Sequence, residues 1–392
     1  MNNPRPVRIL ASTGASRIIR AELNRRTFLS FAAAAGSAAL LAACTPGTQT
    51  TSVPATGGPL EGNLNIYTWG DYDSPDVIAS FTKTLGPKVT MDSFNSNEEM
   101  IAKLAAAKGT SGYDIVVPTG PFIPQMVENG LLQELNMDLI PNMRYMDPAF
   151  LGQDWDPTNK YSVCKAWGTT GFAYDTTVIT RDLQTWNDFL DAAQNEASGK
   201  TSVLDDPAEL TGLYFWTNGI NWNTTDPADL DAAEKYLVNT LAPHLSAFDS
   251  YPGGVAIPES TQALVQVWNG DARLGFMNSN DPGRWAWRLG SPATELWMDN
   301  WAIAAGAPHP EAAHAFINDT MLPENQLLQI DYIGYHTGAA GIEQAALDAG
   351  LAFPEMMFFT PEQLASMQNG VVNDAQQRTV EIWNATKAAA GA

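Results

Sequence analysis

A chain of 392 residues with 45% hydrophobic content can build two domains of ordinary size. Its 43 acidic residues against 21 basic ones leave a net charge of −22, which argues against nucleic acid and anionic membrane surfaces as partners and suits a cationic ligand. Twelve Trp and eleven Tyr supply flat faces for cores or ligands, and the two cysteines, Cys44 and Cys164, with Cys44 placed in a leader, exclude a disulfide within the folded part.

The leader comes first. Arg5, Arg8, Arg17 and Arg20 precede the first acid, Glu22. Asn24-Arg25-Arg26-Thr27-Phe28-Leu29 resembles the twin-arginine translocation motif. The apolar run that follows is Ala-rich, short and broken by Gly36 and Ser37, so it does not read as a membrane span. It ends in Leu41-Ala42-Ala43-Cys44, which looks like a bacterial lipobox. Residues 1–44 are therefore expected to be a twin-arginine lipoprotein signal. Cleavage before Cys44 and lipid attachment to its sulfur would anchor the chain on the outer face of the cytoplasmic membrane. Residues 45–61 are mostly Thr, Pro and Gly, the composition of a flexible tether.

The fold begins near Leu64, where Leu64, Ile66 and Thr68 alternate with Asn65, Tyr67 and Trp69 as a strand. Ser74-Pro75 then starts a helix carrying Val77, Ile78 and Phe81. Lys88 to Met91 is a second strand, and Ser96 with Glu99 makes a capping box for a helix bearing Met100, Ile101 and Leu104. Tyr113 to Val117 is a third strand, stopped by Pro118. Strand and helix in alternation imply a parallel sheet, whose ligands sit beyond the carboxyl ends of the strands. Those ends are Trp69-Gly70-Asp71-Tyr72 and Pro118-Thr119-Gly120.

Trp167-Gly168-Thr169-Thr170-Gly171 follows a strand-like Tyr161 to Val163 and reads as a crossing between lobes. Helices are expected at Trp186 to Ala193, from Asp206-Pro207, and at Asp229 to Leu241. A helix start alone accounts for Asp206 and Glu209 as well as a ligand does. Leu274 to Met277 reads as a short strand and Trp297 to Ile303 as a second crossing. Pro310 to Ile317 is a helix with Ala312, Ala313, Phe316 and Ile317 inward; Tyr332 to Tyr335 follows, and the chain from Pro361 is helical.

Several chemistries are not encoded. Gly199-Lys200-Thr201 lacks the first glycine of a phosphate loop, with Gln194 in its place. His309 and His314 are five apart with Pro310 between them, so they face apart on a helix and do not form a zinc pair. There is neither a Gly-x-Ser-x-Gly elbow nor a Cys-x-x-Cys, and Cys164 reads as a small buried apolar residue. Neither an enzyme, a cofactor nor a metal is expected.

The most informative stretch is Glu295-Leu296-Trp297-Met298-Asp299-Asn300. In extended chain, Trp297 and Asp299 point to the same side. A ring face packs on methylenes and attracts an organic cation, and a carboxylate takes an ammonium.

With Leu64 to Tyr72, Ser96 to Leu104, Tyr113 to Pro118, Trp167 to Gly171, Leu204 to Pro207, Leu296 to Asp299 and Ile333 to Tyr335 in this order, the chain resembles the spermidine/putrescine-binding proteins of bacterial ABC importers. The resemblance covers nearly all of Leu64 to the C-terminus. It implies an α/β, two-lobed periplasmic-binding-protein fold (type II) with the ligand cleft between lobes. Lobe 1 would be 62–169 with 298–343, and lobe 2 would be 170–297 with 344–392. It places Trp69, Asp71, Tyr72, Thr119, Glu209, Asp281, Trp297, Asp299 and Tyr335 at ligand-lining positions, with Asp206 a further one and Gln376 a C-terminal candidate. Gly70 departs from a small hydroxyl residue, Pro121 from a ring, and Asn278 from a ligand-packing Trp. The implied partners are a polyamine, putrescine or spermidine, and a membrane permease. The protein would act as a lipid-anchored monomer outside the cytoplasmic membrane, without nucleic acid. The same fold could instead hold another small cationic or amino-acid-like solute, and an envelope enzyme is the remaining alternative.

Overall fold

The structure, a computed structural model, describes residues 54–94 and 96–391. The signal, Cys44 and the first part of the expected tether lie outside the described residues. No described helix is long and apolar enough to cross a membrane. The remainder of the expected tether is packed onto the fold: Ala55 is buried, and the Thr56 and Gly57 N–H groups donate to Glu311 at 2.7 and 3.1 Å.

The first sheet follows from alternation. β1 (Asn63–Trp69) pairs in parallel with β2 (Lys88–Phe94) and β3 (Ile115–Val116). The connecting helices α1 (Pro75–Leu85) and α2 (Asn97–Ala107) begin where the sequence starts them, at Pro75 and after Ser96, whose Oγ accepts from the Glu99 N–H at 3.1 Å. Short α3 (Ile123–Glu128) and β4 (Leu132–Gln133) follow.

Two long strands then organise the molecule. β5 (Ser162–Asp175) is a single strand of 14 residues, buried throughout, and β10 (Thr294–Ala304) lies antiparallel to its first half. The second half of β5 changes partners: Thr170 to Tyr174 pair with β8 (Leu264–Trp268), and Gly171 to Asp175 with β9 (Trp285–Leu289). Trp297 pairs with Gly168 and Leu296 with Thr169, next to that change of partner. The hydrophobic cores follow the same division. Val163, Cys164, Ala166 and Trp167 of β5 join one core with Met298, Trp301 and Ile303, while Phe172 and Tyr174 join another around Trp186, Phe189 and Trp216.

The second core is roofed by α4 (Trp186–Gln194) and α5 (Pro207–Asn218), with β6 (Thr201–Val203), α6 (Pro227–Tyr236) and β7 (Leu245–Phe248) beside them. Asp206 caps α5 by accepting from the Ala208 and Glu209 N–H groups at 2.8 and 3.0 Å. The chain closes with α8 (Pro310–Thr320), α9 (Pro323–Ile333), α10 (Ile342–Asp348), α11 (Pro361–Ser366), β11 (Met367–Asn369) and α12 (Gln376–Ala390). Ala312, Ala313, Phe316 and Ile317 of α8 are all buried, as their spacing predicts.

Three expectations change. The chain from Pro361 is helical only in part, because β11 (Met367–Asn369) pairs in parallel with the start of β10 and separates α11 from α12. The sheet is mixed, because β10 runs antiparallel to both β3 and β5. Leu274 to Met277 is not a strand; it belongs to α7 (Asn269–Asn278). A short apolar run does not distinguish the two periods, and here helical spacing buries Ala272 and Phe276 while β8 supplies the strand just before.

Candidate functional site

A cavity of about 560 Å³ opens along β10 and is lined from α2, α5, β8, α12 and the loops after β1 and β3. Alternate residues of an extended strand share a face, so Glu295, Trp297 and Asp299 form a row, about 7 Å apart per step and about 13 Å end to end. All three line the cavity together with Trp69, Tyr72, Thr119, Asp206, Glu209, Trp268 and Tyr335.

At one end sits Asp299, 7% exposed. The Thr119 hydroxyl donates to Asp299 Oδ1 at 2.7 Å. Asn97 holds Thr119 from both sides, its Nδ2 donating to Thr119 Oγ1 and its Oδ1 accepting from the Thr119 N–H, each at 3.0 Å. Burial pushes the Asp299 carboxyl up to about 6, while Thr119, Tyr72 and Lys165 pull it back. In the middle, Trp297 stands edge-on to Tyr335 with ring centroids 4.8 Å apart. Two glycines make room for these rings. A Cβ at Gly168 would lie 2.4 Å from Trp297, and one at Gly270 would lie 2.5 Å from Tyr335. The indole N–H groups of Trp69 and Trp297 are buried without a partner among the described residues.

At the other end is Glu209, third residue of α5 and 2% exposed. The Thr170 hydroxyl, Trp268 Nε1 at 3.1 Å and Gln266 Nε2 at 3.1 Å donate to its carboxylate. The Glu295 carboxyl is hydrogen-bonded to it as well. Desolvation first, and then the mutual repulsion of the pair, raise the Glu295 carboxyl well above the usual range; Glu209 is also raised, by desolvation.

The cavity lining contains six acidic residues, Glu98, Asp205, Asp206, Glu209, Glu295 and Asp299, and no Lys, Arg or His among the described residues. Among the described residues, only Asp205 of the six forms an ion pair, with Lys387 at 2.8 Å. Carboxylates gathered in a low-dielectric space repel one another and lose hydration unless cations pair them. The arrangement is suited to a flexible polycation whose apolar stem lies along rings.

Of the residues singled out in the sequence, the cavity brings together Trp69, Tyr72, Thr119, Asp206, Glu209, Trp297, Asp299, Tyr335 and Gln376. It does not take Asp71 or Asp281. Asp71 occupies a left-handed turn (φ 51°) and is exposed in a neighbouring hollow with Asp73 and Asp92. Asp281 is exposed beyond the C-terminal end of α7, outside the cavity. Asn278 is exposed at the end of α7, so no ring is missing there; the ring at the Glu209 end is Trp268. Sequence reasoning missed Trp268 and Glu295. The alternation that joined Trp297 to Asp299 extends to Glu295 one step earlier.

The pH response follows from Asp299. Its carboxyl is raised in the folded protein, so burying its charge costs stability that is lost as pH rises through about 6 in the free state. A cationic ligand needs the ionised form. Affinity should therefore fall as pH drops below about 6, approaching tenfold per pH unit, which calorimetry from pH 4.5 to 8 would measure.

This fold and cleft define a two-lobed, periplasmic-type binding protein. The chain belongs to the bacterial extracellular solute-binding protein family, whose model matches residues 76–352. It is 30% identical over 298 residues to a putrescine/agmatine-binding protein of Pseudomonas aeruginosa, covering 73% of this chain and 79% of that protein. It is 32% identical over 274 residues to the spermidine/putrescine-binding periplasmic protein of Salmonella typhimurium, covering 70% of this chain and 77% of that protein. In structure it resembles the spermidine/putrescine ABC transporter substrate-binding protein of Streptococcus pneumoniae, with a TM-score of 0.73, 26% identity, and coverage of 84% of this chain and 100% of that one.

Proposed function

We propose that the protein captures a polyamine, putrescine or spermidine, outside the cytoplasmic membrane and delivers it to an ABC permease. The observation that carries this reading is the cleft itself, with carboxylates at both ends, rings between them and no basic lining residue among the described residues. Asp299 would take one ammonium and Glu209 another by charge-assisted hydrogen bonds, with Trp297, Trp69 and Tyr335 covering the methylenes. A monocation would leave much of the carboxylate repulsion unpaired. We assign the ligand-binding role to Trp69, Tyr72, Thr119, Asp206, Glu209, Trp297, Asp299 and Tyr335, and add Trp268.

The two lobes are taken as 62–169 with 298–343 and 170–297 with 344–392. The partner change of β5 at Thr169–Thr170 supports this division. A ligand touching both lobes would favour the closed arrangement by its extra affinity for that state. Gln376 Nε2 already donates to Glu98 Oε1 at 3.3 Å, joining α12 to α2. The chain is read as a binding protein without catalytic activity on the ground of its family, which is one of extracellular solute-binding proteins.

The deciding experiment has two parts. Mass spectrometry of the small molecule released by mild denaturation should find a polyamine. Calorimetry against putrescine, cadaverine, spermidine, γ-aminobutyrate and glycine betaine should then show binding of a polyamine. Tight binding of either zwitterion with no response to any polyamine would sink the reading. Lipid anchoring at Cys44 rests on the Leu41 to Cys44 box. Cys44→Ala should move the mature protein from the membrane fraction to the soluble one; unchanged retention would count against the anchor.

A further inference from the structure

The pairing of Glu295 with Glu209 is an unusual feature of the cleft. Two carboxyl groups hydrogen-bonded to each other need one proton between them. The surroundings say which residue holds it. Glu209 already accepts from three neutral donors: the Thr170 hydroxyl, Trp268 Nε1 and Gln266 Nε2. A carboxylate with that set of donors is the acceptor, so Glu295 supplies the O–H. The charged neighbours acting on Glu295 are Glu209 and Asp206 from α5 and its N-cap and Asp299 from its own strand, all of them acidic. The other elements packed against the pair offer groups that do not titrate: Thr170 on β5, Trp268 and Gln266 on β8, and Gln368, the partner of Glu295, on β11.

The row on β10 adds the geometry. Asp299 closes one end of the cleft and Glu209 the other, which matches the two ends of a diamine without Glu295. A third cationic nitrogen near Glu209 meets Glu295 on that face of the strand, with Asp206 at the start of α5 as the other carboxylate of that end. We propose that Glu295 is a selecting residue of the cleft: it sits protonated on Glu209 in the free protein and ionises when a triamine brings a further cationic nitrogen to that end, so that capture of the triamine releases a proton. The balance is simple. The Glu295 O–H bond breaks, its proton goes to solvent, and the carboxylate left behind pairs with the added ammonium.

This inference rests on the polyamine reading, and its test separates the two. Wild type and Glu295→Gln are titrated with spermidine and with putrescine at pH 7.5, in two buffers of different ionisation enthalpy. At that pH Asp299, pushed up only to about 6, is already ionised before ligand arrives. Gln keeps the shape and an N–H donor for Glu209, so it mimics the protonated side chain, and a thermal melt confirms folding. The expected result is that wild type releases up to about one more proton per spermidine than the variant does, and that its spermidine affinity rises more steeply with pH than the variant's, by up to about tenfold per pH unit. Glu295→Gln should lower spermidine affinity by about tenfold or more and putrescine affinity by much less. Polyamine binding with identical proton release in both proteins overturns the proposal, as does an equal loss of affinity for the two amines. Binding of neither amine to wild type overturns the polyamine reading itself, and this proposal with it.

Discussion

Asp299→Ala should weaken polyamine binding by about 2–5 kcal/mol, or about 30-fold to several thousand-fold, because it removes one partner of a desolvated charge pair and leaves an ammonium unpaired in the closed cleft. The free protein should respond in the opposite direction. Asp299 is 7% exposed and its carboxyl is held up at about 6, so at pH 7 its negative charge is a cost to the empty fold. Asp299→Asn keeps the size and can still accept from the Thr119 hydroxyl, which now donates at 2.7 Å. It should melt at the same temperature as wild type or higher, while losing ligand almost as completely as the Ala variant. Calorimetry and a melting curve on the same samples decide the matter. A variant that loses stability and keeps affinity would move the ammonium site away from β10. Asp281→Ala, at an exposed position outside the cavity, should leave affinity within about twofold.

Much of this site was legible because strand alternation is a strict rule. Trp297 and Asp299 share a face by spacing alone, and the structure puts both in the cleft. The helix starts were legible for similar reasons, since Asp206 and Ser96 cap by side-chain chemistry that acts over three residues. What failed was whatever depended on distant parts of the chain. Asp71 follows Trp69 by two residues, but a left-handed turn takes it into the adjoining hollow. The short apolar run at Leu274 to Met277 fits either period, and only the strand at Leu264 to Trp268 leaves it to be helix. With that helix in place, Asn278 is exposed and the ring that lines the cavity beside Glu209 is Trp268. Glu295 is a different case. It was within reach of the alternation rule, but the partner that gives it meaning, Glu209, lies on a helix 86 positions away in the chain.

Lys165 was the least legible feature, a cation at the fourth position of a strand that is buried throughout. Its Nζ lies 3.1 Å from Asp73 Oδ1, donates to the Tyr72 carbonyl at 2.6 Å, and sits 3.8 Å from the centre of the Tyr72 ring. The side chains of the pair are 1% and 2% exposed. Burial pushes the Lys165 ammonium down and the Asp73 carboxyl up, and each pulls the other back. Breaking such a pair from one side is costly, because the survivor is left charged in a dry site. Lys165→Met should therefore lose about 3–5 kcal/mol of stability in urea denaturation at pH 7. The loss should shrink on acidification, as Asp73 takes up a proton in the folded variant. The double variant Lys165→Met with Asp73→Leu removes both charges and should recover to within about 1 kcal/mol of wild type, or exceed it. A double variant as unstable as the single one would mean that the Tyr72 carbonyl and ring contacts matter more than the charges. The double variant also reads out the cleft, since Lys165 pulls the Asp299 carboxyl down and its removal lets that carboxyl rise. The pH at which polyamine affinity begins to fall should then move upward from about 6, in a protein whose fold is intact.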